Sequence, residues 1–507
     1  MRTLASPMGN RPHTNQPSLA LPLVAMLLFA VFSGAVVALG SKFLLLPILA
    51  MMGLLFVLAV PVTWTLWLMF VALFVVLGPV IYFSHFTQLQ WLPPLMGSLF
   101  IVHVLVLAIR GKPYESSRTA PAFVYLLVAF LLLVTVATVI DKPGLPEVVN
   151  SMRFYFFMWP VMLVFMLGIV KPGTIEQLWK ALLLVVLLQV PFVIYQYFFV
   201  ARKSTRMSPW DAVVGTFPGN IEGGGQSHAM GIMLLILMLA TIALWRHQKL
   251  HGVWASLILV SGIGVLALAE VKAVVLLLPF AVALYYRREI TRRPLESLLL
   301  FVGTGALVAA LFVGYEHFHY SSTRPVTNPT QPNSTSERIL KALSPEAGSP
   351  GLHQIGRVTH LVVWWDVNVG KGDVQHSLFG YGVGATQVSN LGAGEIARRF
   401  PYVVDVTSST ILLWETGLLG HFLFLGILLS GARLSGRLSA NPAVPATHQI
   451  LLRVGAVGLV ILAITLPYKD YAITSTPIQF LIMLMLGQAG YWSRMVTKPE
   501  LKEGGRP

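Results

Sequence analysis

The chain has 507 residues, of which 56% are hydrophobic and only 11% are charged. A soluble domain usually has about a quarter charged residues, so this composition excludes an ordinary soluble protein and predicts a helical protein of the lipid bilayer. The net charge is +15, but most basic residues lie in short loops beside apolar runs, which argues against a nucleic-acid partner. The absence of cysteine from the sequence excludes disulfides and cysteine nucleophiles.

Apolar runs that approach the roughly 20 residues needed to cross a bilayer recur along the chain. The first is too long for the core of a signal peptide and is predicted to remain as a span. The predicted fold class is all-α, a polytopic transmembrane helical bundle of about 14 spans. The predicted spans are 18–39, 43–60, 62–83, 94–109, 121–140, 153–170, 178–200, 227–245, 253–269, 271–286, 296–314, 408–431, 450–467 and 474–492.

The apolar run 253–286 decides the topology. As one helix it would be about 50 Å long, whereas the hydrocarbon core is roughly 30 Å thick. Glu270 and Lys272 interrupt the run near its middle, and basic residues flank both of its ends. We therefore predict two short helices that form a hairpin, with the two charges at the outer tip.

This hairpin places both termini in the cytoplasm. The predicted inside segments then hold 19 Lys and Arg residues and the short outside loops hold 8, in the direction expected of cytoplasmic loops. The predicted organisation is an N-terminal tail 1–17, spans 1–11 over 18–314, a large outer loop 315–407, spans 12–14 over 408–492 and a C-terminal tail 493–507.

The outer loop is predicted to contain short helices. Its first part is rich in Ser, Thr, Pro and Asn and predicts a mobile segment. The stretch "GRVTHLVVWWDVNV" then has apolar residues at helical spacing and predicts an amphipathic helix at the membrane interface. In "HSLFGYGVGA", the glycines at 380, 382 and 384 allow a tight turn or a close approach of the backbone to a ligand.

Several motifs between about 205 and 425 resemble the O-antigen ligase and O-antigen polymerase superfamily of bacterial integral membrane proteins. In order, they are "VVGTFPGN", a charged hairpin tip, the large loop with "GRVTHLVVWW" and "LFGYGVGA", and "ETGLLG" at 415–420. The resemblance implies a metal-independent and cofactor-independent glycosyltransferase of the bacterial inner membrane. Its partners would be an undecaprenyl-diphosphate-linked glycan, an acceptor glycan or lipid, membrane lipids and other polysaccharide-assembly proteins.

The chain departs from the family pattern at two places, and the second departure favours a polymerase or another exopolysaccharide transferase over a ligase. Family members often have Ser-Arg at the hairpin tip, where this chain has Glu270-Val271-Lys272. Ligases place a histidine near the end of the large loop, where this chain reads "DVTSST". The loop would be periplasmic in either enzyme.

Transfer from a lipid diphosphate needs positive charge on the leaving group, and arginine suits phosphate because its planar fork binds two oxygens at once. Arg357 is the first candidate, since it begins the amphipathic helix, where the helix dipole also favours anions. A solvated cap or a headgroup contact is its alternative role. Further cationic candidates for substrate binding are Lys272, Arg398, Arg399 and Arg206.

The acceptor hydroxyl needs a base, and a carboxylate or histidine within hydrogen-bond reach could serve. Asp405 is the predicted base, although it could equally cap the next span. Glu415 lies roughly 10 Å into that span, where a carboxylate is costly. It is predicted to belong to the catalytic site, as a contact to the acceptor sugar or as the group that orients a basic residue, and a structural pair with a neighbouring helix is the alternative. Glu270 is assigned to substrate binding or to a local pair with Lys272. The histidines do not predict a metal site.

A transporter of lipid-linked glycans is the alternative function. Many spans and an intramembrane carboxylate also suit alternating access, but transporters often consist of two related halves, and no internal repeat is evident.

Overall fold

The computed structural model describes residues 60–109, 120–204, 209–222, 224–292, 355–389 and 392–496, and a few helical positions between 295 and 313. The first two predicted spans, the N-terminal tail and the first part of the outer loop lie outside the described residues. The chain divides into two compact units, Met1–Pro61 and Val62–Pro507, and the description below concerns the second.

The described part of the chain is helical, apart from two very short strands. The first group of helices comprises α1 Val62–Val71, α2 Leu77–Ser84, α3 Leu92–Ile109, α4 Ala122–Asp141, α5 Leu145–Tyr155, α6 Trp159–Met166, α7 Pro172–Tyr195, α8 Ser227–Arg246, α9 Gly252–Ala269 and α10 Lys272–Arg292. Short π or 3-10 turns occupy Ala72–Val76, Thr87–Trp91, Gln196–Val200, Ala201–Lys203 and Pro209–Ala212.

The later elements form a cap and three further bundle helices, with one short helix in the connection between the last two. The cap contains α11 Arg357–Asn368, α12 Val374–Phe379, β1 Val388–Ser389, β2 Gly392–Ala393 and α13 Glu395–Arg399. The bundle continues with α14 Ser408–Leu438, α15 Ala446–Ile464, α16 Tyr471–Thr474 and α17 Thr476–Val496. The two strands pair antiparallel, with Val388 opposite Ala393.

Nine helical segments among the described residues are long and apolar enough to cross a membrane. This confirms the predicted class of a helical membrane protein with many spans. The predicted span 153–170 is wrong in its bounds, because the chain forms α5 and α6 there, with a break after Tyr155. Pro160 stands in the first turn of α6, where its missing N–H costs nothing, so a new helix begins at that point.

The predicted reversal at Glu270–Lys272 is confirmed. Helix α9 ends at Ala269 and Glu270 adopts a left-handed backbone conformation, with φ of 54°. Near the start of α8, a Cβ on Gly231 would lie 2.9 Å from Val271. Near the end of α8, the Arg246 guanidinium lies 4.8 Å from the ring of Tyr286, late in α10.

The start of α9 is also at that end of α8, since a Cβ on Gly252 would lie 3.4 Å from the indole nitrogen of Trp245. Helices α9 and α10 therefore run between the same two ends of the bundle in opposite directions. We call these ends the Glu270 end and the Arg246 end.

Helix α8 lies in the interior of this bundle. In its most apolar window 89% of the residues are buried, compared with 33% for α4. Gln226, which precedes α8, accepts a hydrogen bond of 2.6 Å from Ser475, which precedes α17. The backbone N–H of Ser408, the first residue of α14, donates to the carbonyl of Lys469. The connection between α15 and α17 therefore lies close to the start of α14, at the Glu270 end.

The cap packs on the first turns of α14 through its own small core, which consists of Trp364, Tyr381, Ala385, Ile396, Val404, Leu413 and Trp414. The predicted helix at Arg357–Asn368 is confirmed. His360, Trp364 and Asn368 form its buried face, and the indole N–H of Trp364 donates to the carbonyl of Leu413. The predicted apolar stripe is largely exposed, as expected of a surface that faces lipid, with Trp365 54% exposed.

The predicted glycine turn follows α12. Gly380, Gly382 and Gly384 all have positive φ, so the tight turn is confirmed. The close approach is to protein: a Cβ on Gly380 would lie 2.5 Å from the carbonyl carbon of Glu415. A Cβ on Gly417, which has φ of 66° and kinks α14, would lie 2.3 Å from the backbone of Leu378. Two backbones therefore meet here without intervening side chains.

Candidate functional site

Arg357 stands at the Glu270 end of the bundle. It is the first residue of α11, as predicted, and its side chain is partly buried. Its guanidinium lies 4.2 Å from the centroid of the Tyr468 ring, a cation–π distance. The Tyr468 ring lies 5.8 Å from the ring of His228, in the first turn of α8. Arg357 thus packs on Tyr468, which in turn packs against the start of α8.

Lys469 adds a second cation beside this stack. Burial raises the pKa of Asp211; the charge of Lys469 opposes this rise, and the carboxylate of Glu270 adds to it. The hairpin tip, the loop before α8 and the connection after α15 therefore converge on one polar region. We call the residues Arg357, Tyr468, Lys469, His228 and Asp211 the cation cluster.

Asp405 lies next to this cluster and does not cap the following helix. The N-cap of α14 is Thr407, whose side chain accepts a hydrogen bond from the N–H of Thr410. Burial and the neighbouring carboxylate of Asp470 raise the pKa of Asp405 to about 6, although a backbone hydrogen bond and Lys469 act in the opposite direction. A carboxylate that titrates near neutral pH suits a general base.

An apolar groove of about 430 Å³ adjoins the cation cluster on the flank of the bundle. Its wall contains Pro467, next to Tyr468, and Leu361, one helical turn after Arg357. In the groove, the Ser409 hydroxyl and a ring nitrogen of His421 form a hydrogen bond of 2.9 Å. The other lining residues are Trp364, Trp365, Leu413, Leu418, Phe422, Leu425, Ala463, Ile464 and Leu466.

Glu415 is fully buried and serves as an anchor for the cap. Its carboxylate accepts hydrogen bonds from the hydroxyl of Tyr155, at 2.8 Å, and from the hydroxyl and backbone N–H of Thr386. A carboxylate with these partners is stabilised in place without a cation. The contacts support the structural alternative for Glu415, which ties α5 and the glycine turn to α14.

Arg398 and Arg399 do not lie near Arg357. Arg398 forms an ion pair of 3.2 Å with Glu147, and Arg399 interacts with the hydroxyl of Tyr381. Tyr381 in turn donates to Asn368, the last residue of α11. Because α11 has twelve residues, its two ends are roughly 16 Å apart.

A histidine bound by two carboxylates lies in this second region. His376 contacts Asp373 at 2.6 Å and Asp141 at 3.1 Å, and its ring stacks on Tyr381. Partial burial lowers the pKa of His376, but its hydrogen bonds to Asp373 and Asp141 raise it further, so the net change is upward. This group fastens α12 to the end of α4.

Two predicted cationic residues have side chains outside the described part of the chain, Arg206 and Lys272. Arg206 lies outside the described residues. Lys272 begins α10 at the hairpin tip, which places its backbone at the Glu270 end. Glu270 itself contributes to the site through its effect on Asp211.

Sequence reasoning does not single out Lys469, Tyr468, His228 or Asp211. One signal for Lys469 was present: Lys469-Asp470 is a charged pair in a short connection between apolar helices. No such signal marks His228 or Asp211, whose significance depends on which loops meet.

Comparison with models of known protein families and with curated proteins finds no match to this chain.

Proposed function

We propose that the protein is a membrane glycosyltransferase of cell-surface polysaccharide assembly, which transfers glycans from an undecaprenyl-diphosphate carrier. The observation that supports this proposal best is that the apolar groove lies beside the cation cluster. A lipid diphosphate has a charged head joined to a long apolar tail, so it needs these two environments side by side. Pro467 lines the groove, and Tyr468, the next residue in the chain, belongs to the cation cluster.

The reaction needs two contributions from this chain, a cationic site for the diphosphate and a base for the acceptor hydroxyl. Arg357 and Lys469 would bind the diphosphate and neutralise the charge that develops as it leaves. The acceptor hydroxyl oxygen forms a bond to the anomeric carbon as the bond from that carbon to the diphosphate oxygen breaks. Asp405 would take the hydroxyl proton, and the bonding electrons leave with the diphosphate. A single displacement of this kind inverts the anomeric centre.

The wider setting is part of the same proposal. The chain would have about 14 spans, the cap would belong to a periplasmic loop, and both termini would be cytoplasmic in a bacterial inner membrane. Polymerisation is favoured over ligation because "DVTSST" stands where ligases have a histidine. The positive-inside distribution of Lys and Arg supports the orientation.

Reconstitution of the purified protein with lipid-linked repeat units tests the proposal. We expect longer glycans in the wild type and a loss of at least about a hundredfold in rate for Arg357→Ala, because a preorganised charged donor is removed. Arg357→Lys should restore part of the rate, since a lysine keeps the charge without the fork.

Lys371→Ala is the matched control, because Lys371 is exposed beyond the far end of α11. It should keep the wild-type rate. Translocation of the carrier without glycan elongation would instead indicate a transporter and would overturn the proposal, as would full activity of Arg357→Ala.

A further inference from the structure

A second cavity lies at the Arg246 end of the bundle, away from the cation cluster. Four arginine side chains line it. Its volume is about 440 Å³. Its walls come from α10, α14 and α15, and we call it the arginine cavity. The lining includes Arg287, Arg433, Arg437 and Arg453, together with apolar residues such as Leu284 and Val460.

The cavity has an excess of positive charge. Arg453 is engaged by Glu289, with two hydrogen bonds of 3.0 and 2.7 Å. Among the described residues, no carboxylate forms an ion pair with the other three arginines. Arg433 and Arg437 are four positions apart on α14, so their like charges face the same side of the helix and repel. An anion between them would remove this repulsion.

The arginine donors and the apolar walls of the cavity together indicate which kind of ligand it binds. Guanidinium groups present paired N–H donors that match phosphate oxygens. Leu429, one turn deeper than Arg433 on α14, and Val457 make part of the wall apolar. A soluble phosphate would leave that wall exposed to water, whereas a lipid would place its first methylene groups against it.

We propose that the arginine cavity binds the phosphate group of an anionic membrane lipid. Basic pockets between transmembrane helices suit anionic headgroups, because each cation near the surface adds attraction and the acyl chains remain in the bilayer. The site is independent of the proposed transferase chemistry, since it uses none of the residues of the cation cluster. It would hold α10, α14 and α15 together at this end.

Binding of phosphatidylglycerol to the purified full-length protein tests the proposal, with native mass spectrometry or a fluorescent lipid as the readout. We expect phosphatidylglycerol to bind more tightly than phosphatidylcholine. Arg433→Gln and Arg437→Gln should each weaken phosphatidylglycerol binding by roughly tenfold, because each removes charge-assisted hydrogen bonds. Both side chains are exposed at the cavity mouth, so the variants should fold.

Lys249→Gln is the matched control, because Lys249 is exposed just after α8 at the same end and does not line the cavity. It should bind phosphatidylglycerol as the wild type does. Equal binding by the wild type and both arginine variants, or an equal loss in Lys249→Gln, would overturn the proposal. Inorganic phosphate that binds as tightly as the lipid would assign the site to a free phosphate and overturn the lipid source.

Discussion

At the scale of single residues, the two protonation states of Asp405 have opposite effects: the protonated state favours folding, and the ionised state is needed for the proposed reaction. Its pKa of about 6 in the folded protein lies above its ordinary value of 3.8, so the folded state holds the proton more tightly than the unfolded chain does. The stabilising contribution of protonated Asp405 is therefore complete below about pH 4 and is lost as the pH rises to about 6. The ionised group, which the proposed base needs to be, is the less favourable form for folding.

Asp405→Asn should therefore abolish glycan elongation without destabilising the protein at pH 7.5. Thermal unfolding in detergent should show the wild type gaining stability relative to the variant as the pH falls from 6 to 4. The rate of the wild type should rise with an apparent pKa near 6. Asp366→Asn, which removes an exposed carboxylate of α11, should keep the wild-type rate. An active Asp405→Asn enzyme would remove Asp405 from the role of base.

Glu415 and Arg357 illustrate which features of the candidate site could be predicted from the sequence. The cost of a carboxylate in a span singled out Glu415 for a functional role, whereas its contacts support a structural one. Its partners could not be predicted, because Tyr155 is 260 positions away and Thr386 is 29 positions away. Arg357 was predictable from its place at a helix start, whereas Tyr468 beneath it was not, since only the packing of the connection after α15 brings the two together.

At the scale of elements, the hairpin of α9 and α10 was predictable because helix length and bilayer thickness leave one solution. The packing of α12 on the kink of α14 was not, because it depends on two glycines far apart in the sequence. Gly380 and Gly417 each leave no room for a side chain against the opposing backbone. The kink of α14 and the packing of the cap on it therefore stabilise each other.

Gly417→Ala should destabilise the protein by at least about 2 kcal/mol, because alanine is strained at a φ of 66° and its Cβ would overlap the backbone of Leu378. Thermal unfolding of the purified protein measures the effect. Gly436→Ala on the same helix is the control, since the nearest atom to its Cβ would be 4.0 Å away. Equal stability of the two variants would contradict the backbone contact.

At the scale of the whole molecule, the proposed function requires that the cap and the arginine cavity face opposite sides of the membrane. The chain has no cysteine, so single introduced cysteines report on sidedness without background. Lys371 in the cap and Lys249 after α8 are both exposed.

Lys371→Cys should react in intact spheroplasts with a maleimide that cannot cross membranes. Lys249→Cys should react only after the membrane is disrupted. Mass shift of the purified protein measures both, and the cysteine-free parent is the control. The reverse labelling pattern would mean that the protein has the opposite orientation in the membrane. The cation cluster would then lie on the cytoplasmic face, which would exclude periplasmic transfer.

The burial of α8 has a consequence for how this protein can change over evolutionary time. A helix surrounded by protein must keep its volume and shape at nearly every position, as Gly231 beside Val271 illustrates. Helix α4, with two thirds of its most apolar window unburied, has only to stay apolar on its outer side. Drift among homologues should therefore accumulate on α4, while α8 retains more of the ancestral sequence.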